Sequence, residues 1–190
     1  MQIFDKKIVL ASKSPRRAQL LSEAGFQYEI RTKEVEEDYP EGLSVEEVPK
    51  FLARKKAHSM LDDIGEDEII LAADSIVALG TTIYGKPKNE AEAEATLRQL
   101  SGQQHQVITG VCLLNQQKEK CFAGISNVYF GELNEEEIQY YIHQFQPFDK
   151  AGAYGIQEWI GWCKIEKIEG TFANIMGLPT SLVYAALQDW

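Results

Sequence analysis

The chain has 190 residues, 44% of them hydrophobic, and a formal net charge of −10. This length and apolar content suffice to bury one substantial core, so these totals exclude a disordered protein. The excess of 29 acidic over 19 basic side chains argues against binding to polymeric nucleic acid, which depends on a basic surface.

The sequence contains no membrane or disulfide signal. There is no run of about 18 apolar residues, and the first residues lack the apolar core of a signal peptide, so we expect a cytoplasmic protein without membrane association. The cysteines are odd in number and lack Cys-x-x-Cys spacing, which predicts neither a disulfide framework nor a structural zinc site. We expect Cys112, Cys121 and Cys163 to be reduced and buried.

The first motif is Ala-Ser-Lys-Ser-Pro-Arg-Arg at residues 11–17, directly after an apolar run at 8–10. Ser14 is a natural N-cap and Pro15 suits the first helical position, so the pattern predicts a strand that leads into a helix closed by Gly25. A helix N-terminus beside two hydroxyls and two guanidinium groups is suited to phosphate. The alternative is an ordinary capped helix with solvated arginines.

An alternating strand is predicted at residues 27–31, followed by an acidic loop at 34–40. The loop is either solvated or turns one carboxylate inward to hold a metal ion. A capping box of Ser44 and Glu47 then predicts a helix, whose regular part is expected to begin near Pro49.

Lys56 interrupts the apolar face of this helix, which consists of Val48, Leu52, Ala53, Ala57 and Met60. The lysine either extends its stem to water or contacts a bound anion. The most apolar run, residues 69–79, predicts a central strand that contains Asp74. Such a carboxylate requires a salt bridge, a metal ion or a cleft.

Later segments alternate between strands and helices. Gly80 and Thr81 predict a hairpin turn that carries Lys86 back towards Asp74. Asn89 and Asn134 predict capped helices, and His105 is expected to be structural. Strands are predicted at 106–114, 121–130 and 160–168, a buried glycine-punctuated loop at 148–157, and a helix at 182–187. The fold class is α/β, with a mixed twisted sheet, flanking helices and room for two lobes around a central cleft.

Six segments resemble, in order, the Maf family of nucleotide pyrophosphatases. They are Leu10–Arg17, Ala72–Val77, Gly85–Pro87, residues 100–111 with Leu-Ser-Gly, His105 and Thr-Gly-Val, Asp149–Gln157, and Gly177–Pro179. The resemblance implies one Maf-like domain over residues 1–190, with a fold related to inosine triphosphatase. It also implies a homodimer and hydrolysis of nucleoside triphosphates to the monophosphate and pyrophosphate with Mg²⁺ or Mn²⁺. The segment that ends in Ala-Tyr-Gly-Ile-Gln157 is similar to the branch that prefers dTTP and UTP.

By this resemblance Asp74 occupies the position of the catalytic proton acceptor, and Glu37 matches a further site position. We expect both carboxylates to hold the metal. The remaining site residues are expected to bind substrate: Ser12, Ser14, Arg16, Arg17, Lys56, Ser75, Lys86 and Gln157. Two departures from the family pattern are Ser75 in place of threonine and Glu158 in place of glycine.

Two alternative functions are compatible with the sequence. One is a nucleotide-binding regulator of septum formation without catalysis, because the family is also associated with that process. The other is a purine-directed pyrophosphatase of the inosine triphosphatase type. Pyrophosphate release from dTTP and from ITP distinguishes these alternatives from the main hypothesis.

Overall fold

A computed structural model of the chain describes residues 2–190. The helices are α1 (Pro15–Glu23), α2 (Glu47–His58), α3 (Glu90–Leu100), α4 (Glu135–Phe145), α5 (Trp159–Cys163), α6 (Phe172–Met176) and α7 (Thr180–Gln188). The strands are β1 (Lys7–Leu10), β2 (Tyr28–Ile30), β3 (Glu68–Leu79), β4 (Thr82–Tyr84), β5 (Gln104–Leu114), β6 (Glu119–Phe130) and β7 (Ile165–Glu169). No helix among these residues is both long and apolar enough to cross a bilayer.

The strands form one mixed sheet in the order β2-β1-β3-β5-β6-β7, with β4 paired to β3. Strand β1 is parallel to both β2 and β3, whereas β3 with β4 and β6 with β7 are antiparallel. The apolar run predicted as a central strand is β3, twelve residues long. The α/β class with a mixed sheet and flanking helices is therefore confirmed.

By its internal contacts the chain divides into two compact units. Unit 1 comprises residues 2–74, Thr109–Gly124 and Gly177–Trp190, and unit 2 comprises Ser75–Ile108 and Ile125–Met176. Each unit has an apolar cluster of its own, around Ala53, Ile70 and Cys112 in unit 1 and around Leu97 and Tyr141 in unit 2. A single functional domain over residues 1–190 stays a prediction.

Several local predictions are confirmed. Asn89 and Asn134 accept the backbone N–H of Glu92 and Glu137 at 2.9 Å, so both helices begin at an asparagine cap. Gly80 has φ +60° in the turn between β3 and β4, where a left-handed residue is required. The predicted apolar face of α2 is buried throughout.

The capping box predicted at Ser44 and Glu47 is wrong. Helix α2 begins at Glu47 with Glu46 at the N-cap position and no side-chain capping bond, while the backbone carbonyl of Ser44 accepts the Glu47 N–H at 2.9 Å. Pro49 lies within the first turn, where its missing N–H has no partner to lose. Ser14 does occupy the N-cap of α1, but its side chain makes no capping bond there.

The strand predicted at 160–168 is wrong in its first half. Residues 159–163 form α5, and only the second half continues as β7. Gly161 lies inside this helix and approaches the preceding loop closely, because a Cβ there would lie 1.7 Å from the Ile156 carbonyl oxygen. The cysteine prediction is also partly wrong, since all three are free thiols but only Cys112 is buried.

Candidate active site

Asp74 lies on β3 in unit 1, and its residue is 8% exposed. The ammonium of Lys56, on α2, donates to the Asp74 carboxylate and also to Glu37 Oε1 at 2.7 Å. Lys56 therefore interrupts the apolar face of α2 because it joins two carboxylates from different segments. Its predicted contact with a bound anion stays a prediction.

The acidic loop is held against α2 by this contact and by a second one. Asp38 accepts a hydrogen bond from Lys55, which lowers the pKa of the Asp38 carboxyl group. Glu37 and Asp38 thus face neighbouring lysines of one helix. Glu37 remains exposed although it accepts the Lys56 ammonium, so the inward turn of a loop carboxylate to hold a metal ion stays a prediction.

Arg17 connects the first motif to the same cluster. Its Nη1 donates to Ser12 Oγ at 3.1 Å, and its Nε donates to the Gly177 carbonyl oxygen at 2.8 Å. Burial lowers the pKa of the Arg17 guanidinium, and the carboxylates of Asp74 and Glu37 act in the opposite direction. The guanidinium therefore lies within electrostatic reach of both carboxylates.

Unit 1 brings together most of the predicted site residues. Ser12 is buried and also accepts the Ser14 N–H at 3.2 Å, at the N-terminus of α1. The positive charge of Arg16 lowers the pKa of its neighbour Arg17, so both arginines belong to this region. Together with Lys56, the two arginines make three cationic side chains beside the two carboxylates of Asp74 and Glu37. The excess of positive charge favours an anionic ligand.

The other predicted residues belong to unit 2. Ser75 and Gln157 are half-buried and Lys86 is exposed. Lys86 lines an open depression of about 280 Å³ together with Tyr84 and Glu92. Convergence of these three predicted residues with Asp74 stays a prediction.

The Gln157 carboxamide has an unsatisfied acceptor. Its Oε1 is buried and has no hydrogen-bond partner within residues 2–190. Its backbone carbonyl is fixed separately, because Trp162 Nε1 donates to it at 2.9 Å. A buried acceptor without a donor is costly unless a ligand supplies one, so this side chain is suited to recognise an N–H group.

Glu158, which departs from the family pattern, is held by neighbours that sequence reasoning missed. Its carboxylate accepts the Tyr141 hydroxyl and lies 3.1 Å from Lys150 Nζ, and the same hydroxyl accepts the Gly155 N–H at 2.9 Å. Burial and the bond to Glu158 raise the pKa of Tyr141. The available signal was Lys150, which with its ion-pair partner Asp149 precedes a run of apolar residues and glycines.

His105 is structural, as predicted. Its ring is 1% exposed, packs edge-on against Phe130 and Tyr154, and places Nε2 2.8 Å from the Tyr154 hydroxyl. Burial lowers its pKa from 6.5 to about 4. The imidazole is therefore neutral at pH 7 and ill suited to proton transfer there.

We expect the free energy of unfolding to fall as the pH decreases from about 6.5 to 4. In this range His105 is protonated in the unfolded chain but remains neutral in the folded chain, where it is buried. The difference in the His105 pKa between the two states corresponds to a loss of about 3 kcal/mol in the free energy of unfolding. Denaturant titrations at several pH values should show a shallower decline in His105→Gln. His143→Gln, which removes an exposed histidine, should keep the wild-type slope, and an unchanged slope in His105→Gln would contradict the assignment.

Glu37 and Asp74 fit a divalent cation by the chemistry of their donors. Carboxylate oxygens are the ligands that Mg²⁺ and Mn²⁺ prefer. The two carboxylates also converge on one point, since a single ammonium group bonds both.

Comparison with known proteins identifies the family. Residues 7–190 match the family of Maf-like proteins. The chain belongs to the Maf family. The dTTP/UTP pyrophosphatase of Bacteroides fragilis is 48% identical over 184 residues, which cover 96% of this chain and 95% of the relative. The dTTP/UTP pyrophosphatase of Cytophaga hutchinsonii is 49% identical over 98% of this chain and 85% of the relative.

A solved structure shares the Maf chain's fold. The HAM1 protein from Coxiella burnetii superimposes with a TM-score of 0.55 over 97% of this chain and 99% of that protein. Its sequence identity is 16%, so the likeness concerns the fold alone. The α/β fold of this chain is therefore shared with the HAM1 protein.

Proposed function

We propose that this chain is a pyrophosphatase that hydrolyses dTTP and UTP to the monophosphate and pyrophosphate, removing unwanted nucleotides. The observation that carries the proposal is the buried Asp74 carboxylate, surrounded by Lys56, Arg17 and Glu37. Close relatives named dTTP/UTP pyrophosphatase support the choice of substrate.

The cations are proposed to bind the triphosphate. A triphosphate is strongly anionic, so its charge must be neutralised before a nucleophile approaches phosphorus. Arg16, Arg17 and Lys56 supply positive charge in unit 1, and Lys86 is proposed to join them. Ser12, Ser14 and the N-terminal N–H groups of α1 would donate hydrogen bonds to phosphate oxygens.

Asp74 is proposed to accept the proton of the attacking water. The water oxygen bonds to the α-phosphorus, the bond between this phosphorus and the bridging oxygen breaks, and pyrophosphate leaves. Its buried position on β3 holds the carboxylate in a fixed orientation, which general-base catalysis requires.

Nucleotide pyrophosphatases of this kind generally use a divalent metal ion, and we propose Mg²⁺ or Mn²⁺ here. Glu37 and Asp74 would hold the ion, with Lys56 moving from between them towards phosphate. Such an ion, when bound, neutralises phosphate oxygens and makes a coordinated water more acidic. Turnover should therefore be lost on treatment with a chelator and restored by Mg²⁺ or Mn²⁺.

Gln157 is proposed to recognise the base, with Ser75 beside it. The imide edge of thymine or uracil offers an N–H donor next to a carbonyl acceptor, which one carboxamide complements. The buried Oε1 of Gln157, which lacks a donor within residues 2–190, supports this pairing.

Gln157→Ala should reduce the preference for dTTP over dGTP by about 10- to 100-fold, because two hydrogen bonds together contribute about 1–3 kcal/mol. The measurement is kcat/KM for both nucleotides. Gln157→Glu keeps the acceptor but lacks the donor and should give an intermediate value. Gln144→Ala, at an exposed position of α4, is the matched control, and an unchanged ratio in Gln157→Ala would refute the pairing.

A substrate panel tests the proposal as a whole. Pyrophosphate release should be fastest with dTTP and UTP and slow with ITP and 7-methyl-GTP. Faster release from ITP would identify the purine-directed alternative. Binding of dTTP without release, with Mg²⁺ or Mn²⁺ present, would favour the non-catalytic regulator.

The homodimer and the cytoplasmic location stay predictions. Leu182 on α7 and Trp162 on α5 are exposed apolar side chains, as a dimer surface requires. Sedimentation equilibrium of the purified chain should give twice the monomer mass if the first prediction is right.

A further inference from the structure

Three potential metal ligands meet at the β5–β6 hairpin in unit 1. These are the thiols of Cys112 and Cys121 and the carboxylate of Glu119, and their donor atoms all lie within 4.8 Å of one another. Cys112 is buried, whereas Glu119 and Cys121 are exposed. The group is thus anchored in the core on one side and open to solvent on the other.

The hairpin geometry explains why these residues meet. Asn115 N donates to Lys118 O at 3.0 Å, which fixes a tight turn between β5 and β6. Counting back from this pair places Cys112 opposite Cys121, and Glu119 lies on the same face as Cys121 because strand side chains alternate. The proximity of Cys112 and Cys121 therefore follows from strand register. A search for Cys-x-x-Cys spacing does not detect it.

The spacing and the chemistry of the donors suit zinc. Zinc bonds sulfur at about 2.3 Å and carboxylate oxygen at about 2.0–2.2 Å, so tetrahedral donors are about 3.5–3.8 Å apart. Cys121 Sγ and Glu119 Oε1 are separated by 3.7 Å. Thiolate ligands also distinguish this group from a magnesium site, because Mg²⁺ prefers oxygen.

Side chains of α2 contact both carboxylate oxygens of Glu119. Arg54 Nε donates to Glu119 Oε1 at 2.6 Å, and His58 Nε2 lies 2.6 Å from Oε2. Such partners commonly orient a ligating carboxylate. With both thiols deprotonated, the three ligands would carry three negative charges beside Arg54, so one divalent cation brings the group to neutrality.

We propose that Cys112, Cys121 and Glu119 form a binding site for one Zn²⁺ ion, separate in residues and in metal preference from the carboxylates of Glu37 and Asp74. Water fills the fourth coordination position, which is accessible because Cys121 is exposed. Binding releases two thiol protons and stabilises the hairpin against α2. The site is structural or regulatory and takes no part in the proposed hydrolysis.

The test is titration of the reduced, full-length protein with Co²⁺ and with Zn²⁺, in excess Mg²⁺ and with a phosphine reductant. Co²⁺ should give a thiolate-to-metal charge-transfer band that saturates at one equivalent and is abolished by Zn²⁺. Zn²⁺ should raise the melting temperature, because it binds only the folded chain. Neither readout depends on enzymatic activity.

Cys121→Ser should weaken Co²⁺ binding at least tenfold and lower the intensity of the band, because one of the two thiolates is lost, whereas Cys163→Ser, which alters another exposed thiol, should bind as the wild type does. Cys112→Ala should also lose Co²⁺ binding. The melting temperature of this variant without metal shows whether it still folds. A band unchanged in Cys121→Ser, or no band in the wild type, would overturn the proposal.

Discussion

Asp74→Asn is expected to lower kcat for dTTP by about 10²- to 10⁴-fold, since the amide cannot accept the proton of the attacking water. The substitution preserves the shape of the side chain and a hydrogen bond to Lys56, so the fold should persist. Steady-state pyrophosphate release measures the loss, and circular dichroism checks the fold. Residual turnover above about one tenth would contradict a central role for this carboxylate.

Glu68→Gln is the matched control. Glu68 lies on the same strand, β3, and is also an ion-paired carboxylate, with Arg31 as its partner. This substitution removes a charge from the strand without touching the proposed site. It should leave kcat within about twofold, so a similar loss in both variants would point to a general effect of charge on the strand.

Gly110→Ala is expected to destabilise the fold by more than about 4 kcal/mol, the range that marks severe overpacking. A Cβ at this position of β5 would lie 2.2 Å from the Pro49 carbonyl carbon and 2.4 Å from Lys50 N. These are backbone atoms of α2 and cannot rotate away. The midpoint of thermal unfolding should fall by about 10 °C or more.

Gly65→Ala is the corresponding control in the same unit. The nearest atom to its Cβ would be Glu68 Oε2 at 3.7 Å, an ordinary contact. Its unfolding free energy should stay within about 0.5 kcal/mol of the wild type. If Gly110→Ala were equally mild, the close packing of β5 on α2 would be wrong.

Local rules were sufficient where one segment determines its own structure. The caps of α3 and α4 were predicted from an asparagine followed three residues later by a glutamate. The strand β3 was predicted from the length and β-branched residues of its apolar run. The interruption of a helical face by Lys56 was visible in the sequence, but its carboxylate partners Asp74 and Glu37 come from other segments and were not predicted.

Local rules failed where distant residues decide. Residues 159–163 have the aromatic and β-branched character of a strand, yet they form α5, in which only glycine at position 161 fits against the Ile156 carbonyl oxygen. The approach of Cys112 to Cys121 depends on the register of a hairpin. The anchoring of Glu158 by Tyr141 likewise joins a helix to a later loop.

The bond between Arg17 and the Gly177 carbonyl oxygen spans 160 residues of sequence. During synthesis the first motif leaves the ribosome early, yet the acceptor that orients its guanidinium emerges only after all of unit 2 has been made. A nascent chain can therefore bury much of its apolar surface before the hydrogen bond from Arg17, proposed to bind phosphate, to Gly177 has formed. Nucleotide affinity should accordingly be among the last properties that a newly made molecule acquires.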